Sequence, residues 1–195
     1  MYKSILLAGC LLSISFHTFA MPRVLLPAES SVTFIVKEMG VPVSGEFKKF
    51  DAAIDIDAAK PEKSSASMQI DIGSLSTGNE EADAVAMGSD WLDKTRAQQA
   101  AFRSISIRSL GGGRYEAKAR LSIRNKEREV LIQFTSTDQA GEKSIIESAF
   151  IIKRSEFGIG GGVWNADGVV ADDISVKIRL VLAPPAIRSI PAASR

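Results

Sequence analysis

Cysteine and histidine are almost missing from this 195-residue chain: there is one of each, Cys10 and His17, both within the first twenty residues. If that stretch is removed, nothing remains for thiol redox chemistry, for serine or cysteine catalysis through a histidine base, or for zinc, copper or haem held by His or Cys. A disulfide framework is excluded as well, so the fold must be held by its core. No apolar run approaches the roughly 20 residues that a bilayer-spanning helix needs. Charge of one sign is also lacking. Lys3 is the one charged residue in the first twenty, so its loss leaves 23 basic residues against 23 acidic ones. A neutral chain argues against nucleic acid or an anionic membrane surface as the main partner.

The N-terminus reads as a secretory signal. Met1-Tyr2-Lys3 is a short cationic start, Ser4 to Phe16 is an apolar run, and Thr18-Phe19-Ala20 puts small residues where a signal peptidase reads. Cleavage after Ala20 and a periplasmic location are expected. Leu7-Ala8-Gly9-Cys10 also has the small-residue pattern that precedes a lipidated cysteine. Cutting there would strand Leu11, Leu12, Ile14 and Phe16 on the mature protein. The organisation expected is a signal over 1–20, a lead-in over 21–30, one domain over 31–182 and a flexible proline-rich tail over 183–195.

Within the domain the dominant period is two. Ser31 to Lys37 alternates with Val32, Phe34 and Val36 on one face, and Met39-Gly40-Val41-Pro42 reads as a turn. Val43 to Phe50 and Ala53 to Asp57 follow as strands, with Gly45 suggesting a bulge or tight corner. Ser65 to Ile72 turns Ala66, Met68, Ile70 and Ile72 one way. The period then changes. Thr77 or Asn79 can cap a helix over Glu80 to Met87, with acidic residues in its first turn and Gly88 at its exit, placed as a cover over one end of the sheet. Ser89 to Asp93 suggests a further short helical turn. Phe102 to Ile107, Tyr115 to Ile123 and Val130 to Phe134 are strands, with turns at Gly111-Gly112-Gly113 and Arg124-Asn125-Lys126-Glu127.

The last two strands organise the rest. Ser144 to Arg154 and the strict alternation of Ile174, Val176, Ile178, Leu180 and Leu182 flank a glycine-rich loop through Gly158-Ile159-Gly160-Gly161-Gly162 and Trp164, and read as antiparallel neighbours. About nine strands with one apolar face each must hide that face, and closing the sheet on itself is the economical way. Eight-stranded barrels are filled by side chains or hold one small ligand. The modest size of Ala66, Ala117, Ala119, Val32, Val36 and Val130 leaves room for one.

In this order, the motifs Phe34-Ile35-Val36-Lys37-Glu38-Met39-Gly40 with Gly45-Glu46-Phe47, Ile70-Asp71-Ile72-Gly73-Ser74-Leu75, Ser89-Asp90-Trp91-Leu92-Asp93, Phe102-Arg103-Ser104 and Lys153-Arg154-Ser155-Glu156-Phe157-Gly158-Ile159 resemble the YceI-like family of secreted bacterial proteins. The resemblance runs from about Ser31 to Leu182. It implies an all-β fold: an extended lipocalin-like antiparallel β-barrel of about eight strands with a short helical insertion. It further implies a periplasmic carrier whose apolar tunnel holds a polyisoprenoid, a quinone-like molecule or another long-chain amphiphile, with no catalytic residues and no cofactor. Expected partners are that lipid-like ligand, transient contact with a membrane or membrane proteins, and a second copy in a homodimer; nucleic acid is not among them. In the family, histidine often stands where this chain has Glu38.

The residues expected to line the tunnel are Phe34, Met68, Ile70, Tyr115, Leu121, Val130, Phe134, Phe150, Ile152, Val176 and Ile178, the alternative being that they are only core. Burying about ten carbons of a chain yields about 8 kcal/mol gross, micromolar affinity before association costs. A polar anchor would raise it. Arg154 beside the glycines and Trp164 is the candidate anchor, since arginine pairs a phosphate or carbonyl head group and indole suits a half-wet rim. The alternative is an ion pair with Glu156, Asp172 or Asp173 that staples the loop. Asp167, Asp172, Asp173, Asp90 and Asp93 offer the rival readings, a carboxylate-dependent periplasmic hydrolase or a calcium site. A stress-related structural protein with a filled core is a third.

Overall fold

A computed structural model describes residues 23–138, 143–161 and 169–184. The expected signal, most of the C-terminal tail, Trp164 and Asp167 lie outside them. Ten strands form one antiparallel sheet: β1 Ser31–Glu38, β2 Val41–Phe47, β3 Phe50–Asp55, β4 Ser65–Asp71, β5 Leu75–Ser76, β6 Gln99–Gly111, β7 Arg114–Ile123, β8 Lys126–Asp138, β9 Ser144–Lys153 and β10 Asp173–Leu182. One helix, α1 at Glu80–Met87, interrupts them. The strand order is β3-β4-β6-β7-β8-β9-β10-β1-β2-β5, so the chain folds as the all-β antiparallel barrel the sequence leads one to expect.

Connectivity explains the closure. β2 lies next to one edge of the sheet and β3 forms the other, yet only Lys48 and Lys49 separate them. Two residues span at most about 7 Å, so the sheet must curl until its edges meet at this corner. A 3₁₀ turn at Ile72–Ser74 makes the same crossing from β4 to β5. It is pinned to the corner: Lys48 N donates to Ser74 O (3.1 Å), Asp71 N to Lys49 O (3.0 Å) and Lys49 N to Ser74 Oγ (2.9 Å). The barrel is thus joined at this corner by turns rather than by a ladder.

The turns follow their residues. Met39-Gly40 and Arg124-Asn125 are two-residue hairpin connections with both residues at positive φ, as a I′ turn demands. Arg124 and Asn125 are not glycine, and side-chain bonds offset the cost. Arg124 donates to the carbonyls of Gly158 and Ser89, and Asn125 Nδ2 to Arg96 O (3.0 Å).

Two local expectations are corrected. Gly45 is not at a bulge: it lies opposite Phe34 in the β1–β2 ladder, where the phenyl ring fills the space over its backbone. The irregularities are instead in β6, where the register to β7 shifts between Ser104 and Ser106 and again between Ser109 and Gly111. At the first, the extra residue Ile105 is 48% exposed despite being apolar. Ser89 to Asp93 forms turns rather than helix, with Asp93 buried at positive φ.

Outward faces carry charge, for example Lys118 with Glu129 (2.9 Å) and Arg108 with Glu116 (2.7 Å). Inward faces form three apolar clusters. One joins Ala52, Ile54 and Met68 to Val32, Ile146, Leu180 and Leu182. A second gathers Ile72, Ala100, Leu121, Ile123, Phe157 and Ile159, and a small third centres on Ile107, Tyr115 and Ala117.

Candidate functional site: an apolar tunnel under a helical cover

A cavity of about 500 Å³ runs through the barrel, within the range of pockets that enclose a small organic ligand. Every strand contributes to its wall, because each presents alternate side chains inward. β1 gives Val32, Phe34 and Val36; β4 gives Ala66, Met68 and Ile70; β9 gives Phe150 and Ile152; β10 gives Ile174, Val176, Ile178 and Leu180. Between them stand Val43, Phe47, Ile54, Leu75, Phe102, Ala117, Leu121, Ile132 and Phe134. Such a wall offers water few hydrogen bonds, so an apolar occupant is favoured.

The helix completes the wall. Ala82, Val85 and Ala86 of α1 face the cavity together with Glu81. Asn79 caps the helix by accepting from the amides of Glu81 (2.9 Å) and Ala82 (3.2 Å). Thr77 ties it to the preceding strand, its N and Oγ1 both donating to Asp83 Oδ1 (2.6 and 2.7 Å). After the helix, Trp91 and Leu92 turn inward and join the lining. The sequence alone missed this covering contribution to the wall, although the expectation of a cover at one end already contained the signal.

Nine of the expected lining residues meet around the cavity: Phe34, Met68, Ile70, Leu121, Phe134, Phe150, Ile152, Val176 and Ile178. Two do not reach it. Tyr115 is buried behind Phe134, their rings stacked with centroids 5.4 Å apart and planes 16° from parallel. Val130 is half-buried opposite Ala119 and packs against the second apolar cluster. Neither is on the cavity wall.

Arg154 is also displaced from the expected role. It is 6% exposed and absent from the cavity wall. β9 ends at Lys153, and a 3₁₀ turn over Arg154–Phe157 carries the side chain beneath the glycine loop. There Nε donates to Ala171 O (3.2 Å), Nη1 to Ile159 O (2.9 Å) and Gly160 O (3.0 Å), and Nη2 to Val170 O (3.0 Å). Its guanidinium carbon lies 6.0 Å from the ring centroid of Trp91, which stands on the cavity wall. An added Cβ at Gly160 would fall 2.5 Å from Arg154 Nη1, so the loop needs glycine there. Arg154 is a clamp on backbone carbonyls.

The aspartates lie in the same framework. Asp172 accepts from Ser155 N and Oγ, both at 2.9 Å, and Lys153 reaches Asp173 at 3.1 Å. Burial pushes the Asp172 carboxyl up, but the two bonds from Ser155 with the charges of Lys153 and Arg154 outweigh it and hold it below its ordinary value. Asp173 raises Lys153 in turn, by hydrogen bond and by charge. Asp90 supplies its carbonyl to the amides of Gly160 (2.7 Å) and Gly161 (3.0 Å), and Asp93 accepts from Thr95 Oγ1 (3.0 Å). None of these aspartates lines the cavity.

An antiparallel barrel wrapped around a continuous apolar tunnel, covered by one helix, defines the class of protein. Within that class the chain belongs to the YceI-like family, whose domain matches residues 24–182. A UPF0312 protein of Vibrio cholerae is 27% identical over 156 residues, 77% of this chain and 82% of that protein. Another, from Ectopseudomonas mendocina, is 30% identical over 152 residues, 75% of this chain and 80% of that one. Among solved structures, Burkholderia cenocepacia BcnA superposes with a TM-score of 0.78 at 35% identity, covering 80% of this chain and 98% of that one. A polyisoprenoid binding domain from Saccharophagus degradans gives a TM-score of 0.68 over 85% of this chain and 99% of that one. Its identity is 13%, so the likeness speaks to the fold.

Proposed function

We propose that the chain is an exported, non-enzymatic carrier or sequestering protein that holds a polyisoprenoid, quinone-like or similar long-chain amphiphile in its tunnel. The observation that carries this reading is the cavity of about 500 Å³ with apolar side chains from all ten strands. Each five-carbon prenyl unit buried there contributes about 4 kcal/mol gross at about 0.8 kcal/mol per carbon. The name of the Saccharophagus degradans domain supports the same ligand class. A signal cut after Ala20 would deliver the chain to the periplasm, where an apolar molecule needs shelter from water.

The carboxylate-hydrolase alternative is disfavoured, because Asp90, Asp93, Asp172 and Asp173 serve loops and lie off the cavity wall. Solvent extraction of purified protein followed by mass spectrometry tests the proposal. A stoichiometric long-chain lipid is expected. Turnover of an ester or glycoside that is lost in Asp172→Asn, with no lipid in the extract, would replace the carrier reading by the hydrolase.

A further inference from the structure

We propose that the polar end of the occupant carries no negative charge and donates hydrogen bonds, as a long-chain alcohol or amine does, and that phosphates, diphosphates and carboxylates are disfavoured. This inference rests on the carrier reading and narrows it. The two charged residues on the cavity wall among the described residues are both acids, Glu38 at the end of β1 and Glu81 in the first turn of α1. No lysine or arginine among the described residues lines it. Of the polar wall residues, Glu81 and Asn79 are exposed to solvent, while Thr77 and Glu38 are half-buried beside the apolar lining.

A polar head near these residues meets two carboxylates, with no cation among the described wall residues. Carboxylates accept hydrogen bonds, so a hydroxyl or ammonium group is matched there. An anion would instead face like charge at a low-dielectric wall, which costs affinity with no compensating partner. Among the described residues the buried Arg154 does not reach the wall to pair with an anion. Arg154 has four donations placed on the carbonyls of Ile159, Gly160, Val170 and Ala171 and sits behind the Trp91 ring.

The test compares three ligands with the same fifteen-carbon chain, farnesol, farnesylamine and farnesyl diphosphate. Each is titrated into the purified protein at neutral pH and low salt while tryptophan emission is followed, since Trp91 stands on the wall. Farnesol and farnesylamine are expected to bind about tenfold or more tighter than the diphosphate. Combining Glu38→Gln with Glu81→Gln should shrink that ratio, whereas Glu62→Gln, in an exposed turn, should leave it alone. Equal or tighter binding of the diphosphate overturns the inference, and so does a preference that survives the double substitution unchanged. Failure of all three to bind, with no lipid in the extract, overturns the carrier reading itself.

Discussion

Phe34 and Gly45 share one side chain between them: the Phe34 ring lies where residue 45 would carry a Cβ, with Cζ 2.4 Å from that position. The two residues are direct partners across β1 and β2, and Phe34 lines the tunnel. Gly45→Ala should therefore drive the ring inward and cost about 1–3 kcal/mol. Urea unfolding measures it. In a Phe34→Ala background the same substitution should cost far less, and a cost that is simply additive would refute the contact.

Arg154 is expected to matter for the fold more than its neighbours suggest. Removing its guanidinium leaves four backbone carbonyls around the loop without these donors, and stranded buried acceptors cost about 1–3 kcal/mol each before water re-enters. Arg154→Met should lower stability by about 3 kcal/mol or more. Arg154→Lys should recover little, because one ammonium cannot fork to carbonyls on both sides of the loop. A lysine variant as stable as the parent would show that charge alone suffices.

Val176 faces Phe34 and Phe150 across its two neighbouring strands on the tunnel wall. Val176→Phe places the added volume in the cavity. It should change stability by less than about 1.5 kcal/mol, since open space receives the ring. Lipid recovered per mole of protein should fall at least several-fold. Undiminished recovery with an unchanged melting temperature would move the ligand elsewhere.

Asp172 gives stability a defined acid dependence. Its folded pKa lies below the unfolded one of about 3.9. The contribution is therefore complete above that value and is lost as pH falls through the folded pKa. Because the side chain is 40% exposed, solvent screening keeps the effect small. Denaturation from pH 5 down to about 2 should show a shallower loss of stability in Asp172→Asn than in the parent. Parallel curves would remove Asp172 from the acid limb.

Period-two patterns made most of the barrel readable, because an apolar residue every second position can only be satisfied by one buried face. β1, β4 and β10 follow it closely, and so did nine of the tunnel residues. Tyr115 and Val130 show the limit of the pattern: it gives alternation, but not which side chains reach the cavity wall. Arg154 lies off the wall, away from the anchor position and nearer its alternative as a staple of the loop, for a related reason. The pattern carried it past the end of β9, and the 3₁₀ turn that redirects it depends on Gly158 at φ +67° and on partners sixteen or seventeen residues away. The two-residue β5 was not legible at all, since Leu75 and Ser76 pair with Phe47 and Glu46 only after the corner at Lys48 and Lys49 has formed.

The pairing of β1 with β10 joins the beginning of the domain to its end, Ser31 facing Arg179 and Ile35 facing Ser175. Closure of that ladder must wait for nearly the whole domain, and contacts of such sequence separation make folding slow. Until β10 arrives, both β1 and β9 present open hydrogen-bonding edges that could recruit another chain. Lys37 on β1 and Lys153 at the end of β9 supply edge charges that discourage such pairing. A chain cut before Asp173 should therefore aggregate rather than persist as a nine-stranded barrel.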